Sequence, residues 1–168
     1  MHKLNEDGSA DFLYTSDLEK DGYEYNIGWL QDGKMCNCLR TGMFSISDYR
    51  YIETDPATGE VFTDLKVSLT DPDTGLDRFL PLYISCTYDP TDATLWGYSM
   101  NKAGTGYIFF TAPAGKIEET EPVVNNEVWE KVCASICYNE KENALIGINR
   151  ENNLVRIERD GSQTLIMD

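Results

Sequence analysis

Residues 85–98 of this chain read SCTYDPTDATLWGY, and residues 135–148 read SICYNEKENALIGI. At an offset of fifty positions, identical residues recur in the two stretches: Ser85 with Ser135, Tyr88 with Tyr138, Leu95 with Leu145, and Gly97 with Gly147. Self-similarity at a fixed period of about 20–50 residues indicates a repeat architecture. We therefore expect the fold to be built from copies of one unit.

Each copy divides into four short segments separated by turn-forming residues. In the last copy the segments are VCASICY (132–138), ALIGIN (144–149), NLVRIE (153–158) and SQTLIM (162–167). In the preceding copy they are LYISCTY (82–88), TLWGYSM (94–100), GYIFFTA (106–112) and GKIEETE (115–121). The segments are too short for typical helices and are rich in β-branched and aromatic residues. Because Gly, Pro, Asn and Asp separate them, the pattern predicts strands joined by tight hairpins.

The later parts of the two copies also align. GYIFFTAPAGKIEE, which begins at Gly106, runs parallel to NLVRIERDGSQTLI, which begins at Asn153. This alignment predicts that the third strands of the two copies are equivalent, with Gly106 opposite Asn153.

A more divergent copy lies upstream. Its segments are YEYNIGWL (23–30), MCNCLR (35–40), DYRYIET (48–54) and VFTDLKVSL (61–69). In the last segment apolar and polar residues alternate, which is typical of a half-buried outer strand. The apolar residues expected on one face are Val61, Leu65, Val67 and Leu69.

Four antiparallel strands repeated at about fifty residues match the period of a β-propeller blade. In TYDPTDATLWGY, CYNEKENALIGI and NLVRIERDGS, the chain resembles secreted bacterial β-propeller repeat proteins of the broad kelch, YVTN and NHL-like type. The resemblance covers residues 23–168. It implies an all-β fold of about three four-stranded antiparallel blades and an extracellular or cell-envelope location. A cytoplasmic location stays open, because five cysteines without evident pairing fit a reducing compartment.

The resulting domain organisation has five parts. These are an N-terminal segment 1–22, for which an added strand is an open alternative, a divergent blade 23–69, an acidic connecting loop 70–81, a second blade 82–128 and a third blade 129–168. Propellers close with about four to eight blades, so three blades leave open faces. We expect either a partial propeller within a longer protein or one completed by partner chains, including copies of itself. A different all-β arrangement, such as a sandwich, is the third alternative.

The net charge of −15 limits the partners. Such a surface repels phosphate backbones and anionic lipid head groups. No apolar run approaches the roughly 18 residues that cross a bilayer, and the opening MHKLNEDGSADF has no signal-peptide core. We therefore expect a protein or glycan ligand, no nucleic acid and no membrane insertion.

Catalytic patterns are scarce. His2 is the single histidine, so neither a Ser-His-Asp nor a Cys-His arrangement can form on the folded body. We expect a non-enzymatic binding or scaffold module without a cofactor. The rival hypothesis is part of a larger propeller enzyme that acts on glycans with a carboxylate pair. Asp55 and Asp89, however, lie in Asp-Pro turns, where the side chain caps its own backbone.

Aromatic residues supply the candidate ligand contacts. Trp29, Tyr98 and Tyr107 are the predicted binding residues, because aromatic faces at a propeller mouth can stack on a sugar or peptide ligand. Trp96 and Trp129 align with apolar positions of the other copy, Ile146 and Phe79. Both are therefore predicted to pack in the core between blades.

One stretch weakly resembles a calcium loop. In DPDTGLD, the carboxylates of Asp71, Asp73 and Asp77 surround Gly75, which suits oxygen-ligated calcium. The stretch lacks the bidentate Glu of the EF-hand pattern, so a plain acidic turn is the alternative. No other metal site is predicted.

The spacing of the five cysteines does not match a zinc site. Cys36 and Cys38 are two apart, and Cys133 and Cys137 are four apart, so each pair is expected to share one strand face. We expect buried thiols that act as small hydrophobic residues. A bridge between Cys86 and Cys137 on neighbouring strands stays open.

Overall fold

The computed structural model describes residues 2–4, 9–12, 23–41, 48–68, 82–101 and 105–167. The described residues form an all-β protein with three four-stranded antiparallel sheets, which confirms the predicted fold class. The weak calcium candidate Asp71, Asp73 and Asp77 lies outside the described residues. The chain divides into two compact units, Met1–Ser68 and Leu69–Asp168, each of which is described by itself.

The first unit contains two sheets. A short hairpin pairs β1 (His2–Leu4) with β2 (Ala10–Phe12). The first blade follows in chain order as β3 (Tyr23–Gln31), β4 (Lys34–Thr41), β5 (Asp48–Thr54) and β6 (Val61–Ser68). These four strands correspond to the four segments of the divergent copy.

The expected apolar face of β6 is only partly formed. Val67 is 6% exposed, whereas Val61 and Leu65 are each 48% exposed. A register shift in the β5–β6 pairing places Val61 opposite Thr54, whereas Leu65 lies opposite Tyr51. Because the shift changes the alternation of side chains, Val61 does not share a face with Leu65. The expectation for Leu69 falls outside the described residues.

The second unit contains two blades. The second blade comprises β7 (Leu82–Asp89), β8 (Thr94–Met100), β9 (Tyr107–Pro113) and β10 (Glu121–Glu127). The third blade comprises β11 (Cys133–Asn139), β12 (Ala144–Asn149), β13 (Leu154–Ile157) and β14 (Gln163–Met167). Seven of the eight predicted segments become strands. The exception is GKIEETE, where Ile117–Glu119 forms a 3₁₀-helical turn and the fourth strand begins only at Glu121.

The offset of fifty is confirmed by strand pairing. Gly97 pairs with Cys86 in the β7–β8 hairpin, and Gly147 pairs with Ile136 in the β11–β12 hairpin. Both hairpins also have a register shift at the same place, immediately before Ser85 and Ser135. The two hairpins are therefore equivalent residue for residue, including their irregularities.

The predicted alignment of the third strands is shifted by two residues. Phe110 pairs with Gly97, and Val155 pairs with Gly147, so the offset between β9 and β13 is forty-five. The predicted alignment instead matched Gly106 with Asn153, which is an offset of forty-seven. Because side chains alternate with a period of two, a shift of two residues keeps each side chain on its expected face.

The two blades of the second unit pack together through one apolar cluster. Trp96, Tyr98 and Phe109 of the second blade contact aliphatic residues of the third, which include Ile136, Leu145, Val155 and Ile157. Trp96 is 8% exposed, so its predicted core position is confirmed. Such a shared core is what joins neighbouring units in a repeat protein.

Polar contacts reinforce the same junction. Ser85 Oγ donates a hydrogen bond to the Cys133 carbonyl at 2.6 Å. The Tyr138 backbone N–H donates to Thr87 Oγ1 at 3.1 Å. The Arg159 guanidinium also pairs with the fully buried Asp89 carboxylate. These three contacts cross the junction and add polar pairing to its apolar core.

Candidate binding surface

Two of the three predicted binding residues lie inside sheets. Trp29, in the first unit, is 6% exposed, and its Nε1 donates to Gln31 Oε1 at 3.2 Å. Tyr98, in the second unit, is fully buried, and its hydroxyl accepts a hydrogen bond from Gln163 Nε2 at 2.7 Å. Neither ring presents a face to a ligand.

The third predicted residue lies at the surface. Tyr107 is half-buried, and its ring centroid lies 5.0 Å from that of Trp129, at an interplanar angle of 40°. On the same indole ring, the Arg150 guanidinium carbon lies 4.1 Å from the ring centroid. We call these three residues the aromatic–arginine surface.

The prediction of a core position for Trp129 is wrong. Its side chain is 43% exposed and lies on a 3₁₀-helical turn, Trp129–Lys131, between the second and third blades. Phe79, with which it was aligned, lies outside the described residues. The sequence contained a signal for this exposure, because charged residues flank Trp129 in the stretch EVWEK. A buried strand would rarely carry such flanks.

The aromatic–arginine surface lies at the ends of strands, on one side of the second unit. Tyr107 begins β9, Arg150 follows β12, and Trp129 precedes β11. Because neighbouring strands are antiparallel, the start of one strand and the end of the next lie side by side at the same end of the sheet. Loops from both blades therefore converge on this surface.

Backbone hydrogen bonds hold the surface in place. The Arg150 N–H donates to the Glu130 carbonyl at 3.3 Å, and Gln163 Nε2 donates to the Lys131 carbonyl at 2.6 Å. In the β12–β13 loop, Asn149 Oδ1 accepts from the N–H groups of Glu151 and Asn153, each at 3.0 Å. These bonds hold the two segments that carry Trp129 and Arg150 against the strands of the third blade.

Arg150 differs from the other arginines whose side chains are described. Each of those forms an ion pair with a carboxylate: Arg50 with Asp64, Arg156 with Glu158, and Arg159 with Asp89. Within the described part of the chain, Arg150 has no such partner, and its guanidinium carbon instead lies over the Trp129 ring. A guanidinium that is not paired with a carboxylate keeps its N–H donors available for a planar acceptor.

The first blade contains a buried carboxylate that sequence reasoning missed. Glu53 is 7% exposed and accepts hydrogen bonds from Lys34 Nζ, Tyr51 Oη and Thr63 Oγ1 at 2.8, 2.8 and 3.0 Å. Burial alone would raise the pKa of Glu53, but these donors outweigh it and hold that pKa below its ordinary value. Its oxygens are occupied by the protein itself, which favours a structural role.

The Asp-Pro turns behave as predicted. Asp55 Oδ1 accepts from the N–H groups of Ala57 and Thr58 at 2.7 and 3.1 Å, and Asp89 Oδ1 accepts from the Thr91 N–H at 2.9 Å. Asn139 caps the equivalent turn of the third blade through the Lys141 N–H at 3.0 Å. These oxygens stabilise their own turns.

All five cysteines lie in the described ranges and are thiols, so a Cys86–Cys137 bridge is absent from them. Cys36, Cys38 and Cys133 are buried as expected, whereas Cys86 is partly exposed and Cys137 exposed. Burial raises the pKa of Cys36 to about 11 and that of Cys133 to about 12. The prediction that Cys133 and Cys137 share a face is wrong, because the register shift before Ser135 separates them.

No family model matches this chain, and no curated protein matches it at a significant level. Within the described ranges, His, Cys, Asp and Glu side chains do not form a group of three suited to a metal ion. The described residues contain no helix that is long and apolar enough to span a membrane.

Proposed function

We propose that this chain is a non-enzymatic binding module that presents the loops of one blade edge to a protein or glycan partner. The aromatic–arginine surface carries the proposal. It combines an exposed tryptophan, a tyrosine and an arginine for which the described residues supply no carboxylate partner, on loops fixed by two packed blades. Trp, Tyr and Arg are the residues most enriched at binding hot spots.

The chemistry of this surface specifies a feature of the partner. The Arg150 guanidinium favours a carboxylate, which it can bind through two parallel N–H donors. The exposed part of Trp129 and the Tyr107 ring favour an adjacent apolar or ring-shaped group. The partner is therefore expected to carry a carboxylate next to apolar surface, on an acidic sugar or an acidic protein segment.

The test is a parallel screen of glycan and peptide arrays with the wild-type protein and three variants. Trp129→Ala and Arg150→Gln remove the two central groups. Arg156→Gln is the matched control, because Arg156 is partly exposed but already paired with Glu158. We expect carboxylate-bearing probes to bind the wild type, with affinity falling by roughly 30-fold in Trp129→Ala and at least about tenfold in Arg150→Gln.

Three outcomes would contradict the proposal. They are the absence of any wild-type binder on either array, equal binding by Trp129→Ala and Arg150→Gln, and chemical conversion of a bound probe by the wild-type protein. Mass spectrometry of the recovered probe distinguishes binding from turnover. Arg156→Gln should bind as the wild type does.

A further inference from the structure

Among the described residues of the second unit, one face of the third blade has no other strand packed on it. Strand register assigns to this outer face Ser135, Cys137, Ile146, Ile148, Leu154, Arg156, Thr164 and Met167. Of these residues, none is buried: Ile148 is 45% and Met167 63% exposed, and Ile146 and Leu154 are partly exposed. Aliphatic groups on neighbouring strands thus form a continuous apolar area in contact with water.

The equivalent face of the second blade is an interface. Trp96, Tyr98 and Phe109 occupy the positions of Ile146, Ile148 and Leu154, and all three are buried against the third blade. Ser85 donates a hydrogen bond across that interface, and its counterpart Ser135 is exposed. The outer face therefore has the composition of a face that docks a sheet.

We propose that the outer face packs against the same face of a second copy of this chain, forming a two-fold dimer. The distribution of charge on the outer face favours a second copy of this chain as the partner. The chain has a net charge of −15, yet the strand residues of the outer face include no Asp or Glu, and Glu158, which continues this face beyond β13, is neutralised by its ion pair with Arg156. Two acidic chains therefore meet there with little repulsion, and in a two-fold contact the aliphatic residues face one another.

The outer strand of the same blade supports association. In β14, Gln163–Met167, no residue is charged and none is Pro, and Leu165 and Ile166 are 57% and 49% exposed. By contrast, β10 contains Glu121 and Pro122, which discourage edge pairing. Soluble proteins normally protect exposed strand edges with charges or Pro. An unprotected edge beside an uncovered face indicates that this blade is covered in solution.

The test is sedimentation equilibrium of the intact chain from about 1 µM to about 1 mM, the range in which modest interfaces dissociate. We expect concentration-dependent dimers of twice the chain mass of 19.0 kDa. Ile148→Asp and Thr164→Glu each place a carboxylate on the outer face and should raise the dissociation constant at least about tenfold. Leu30→Asp is the matched control, because Leu30 is 61% exposed in the first unit, and it should dimerise as the wild type does.

A second measurement identifies the face. Cys137 is the exposed thiol on the outer face, so its rate of maleimide labelling should fall as the wild-type concentration rises and stay constant in Ile148→Asp. A wild type that remains monomeric over the whole range overturns the proposal. Dimers that persist in both acidic variants, or that leave Cys137 labelling unchanged, overturn it as well. This proposal concerns a different face from the aromatic–arginine surface and stands independently of the proposed function.

Discussion

The protonation of Glu53 makes the stability of the first blade depend on pH. Its folded-state pKa lies below the ordinary value of 4.5, so the carboxylate stabilises the fold above that value. The stabilisation is lost as the pH falls through the folded-state pKa, where protonation breaks the contacts with Lys34 and Tyr51.

We therefore expect Glu53→Gln to be less stable than the wild type by about 2 kcal/mol at neutral pH, since hydrogen bonds to a buried charge contribute about that much. The difference should shrink as the pH falls below 4.5, the ordinary pKa. Urea unfolding of both proteins across this range measures it. Glu60→Gln, at an exposed position, is the control. A difference that does not vary with pH would contradict the assignment.

Gly97 marks a position where the backbone of one strand contacts its neighbours closely. An added Cβ would overlap the Ser85 carbonyl oxygen and lie 2.9 Å from both Cys86 Cβ and Phe110 Cε1. Because the carbonyl belongs to a paired strand, it cannot move away cheaply. The same crowding occurs at Gly147, where Cys133 Sγ is 2.8 Å from the added atom.

Gly97→Ala should lower the free energy of unfolding by about 3 kcal/mol, as expected for overpacking against fixed backbone. Gly33→Ala provides the comparison. Gly33 has a φ of +76° with no heavy atom within 4 Å of the added Cβ, so only backbone strain of about 1 kcal/mol is expected there. Guanidinium unfolding monitored by circular dichroism measures both. An equal or smaller loss in Gly97→Ala would show that the contact is not rigid.

At the level of elements, the hairpins of the second and third blades share even an uncommon turn conformation. Ala93 has a φ of +55°, and Asn143, fifty positions later, has a φ of +47°. Asn tolerates the left-handed region better than Ala does. The second blade therefore carries a strained residue where the third carries a suitable one.

Ala93→Asn should accordingly stabilise the protein by about 0.5–1 kcal/mol. Thermal unfolding measures this as a higher Tm. Ala57→Asn serves as the matched control, because Ala57 is an exposed turn residue outside the positive-φ positions. Equal effects of the two substitutions would mean that a polar side chain in contact with water, and not relief of turn strain, is responsible.

Most strands were predictable from sequence because hairpins are local. Alternation, β-branched residues and Asp or Asn at the turns indicated seven of the eight strands of the second unit. The fourth strand of the second blade was misplaced onto GKIEETE, which ends at Glu121, because Pro122 at the second position of β10 argues against a strand and GKIEETE lacks Pro. The register shifts before Ser85 and Ser135 were not predicted, because the alternation of apolar and polar residues does not specify where a strand is bulged.

The candidate surface was less predictable than the fold. Tyr107, predicted as a binding residue, is partly exposed, so that its role in binding stays a prediction, whereas Tyr98 on the same blade is fully buried. Sequence alternation identifies the two faces of a strand without indicating which face a neighbouring blade covers. Arg150 was missed because its stacking on Trp129 joins two loops that are distant in sequence.

At the scale of the second unit, the shared core implies that two blades unfold together. Leu145 is fully buried in the cluster that joins them. Leu145→Ala should cost about 2–4 kcal/mol by leaving a cavity. Because the core is common, amide protection should fall in both Thr94–Met100 and Ala144–Asn149.

Hydrogen exchange read by mass spectrometry tests this coupling on peptides from the two strands. Leu165→Ala is the control, because Leu165 is 57% exposed and should change stability by less than about 0.5 kcal/mol. Loss of protection confined to the third blade would indicate that the blades unfold separately.

The change of offset from fifty to forty-five falls entirely between the paired residues Tyr98 and Phe109 of one blade and Ile148 and Leu154 of the other. The connection that leads to Tyr107 is therefore five residues longer than its counterpart in the third blade, while pairing on both sides of it is preserved. One and the same strand framework thus accepts connections of two lengths at this position, as expected for a surface loop.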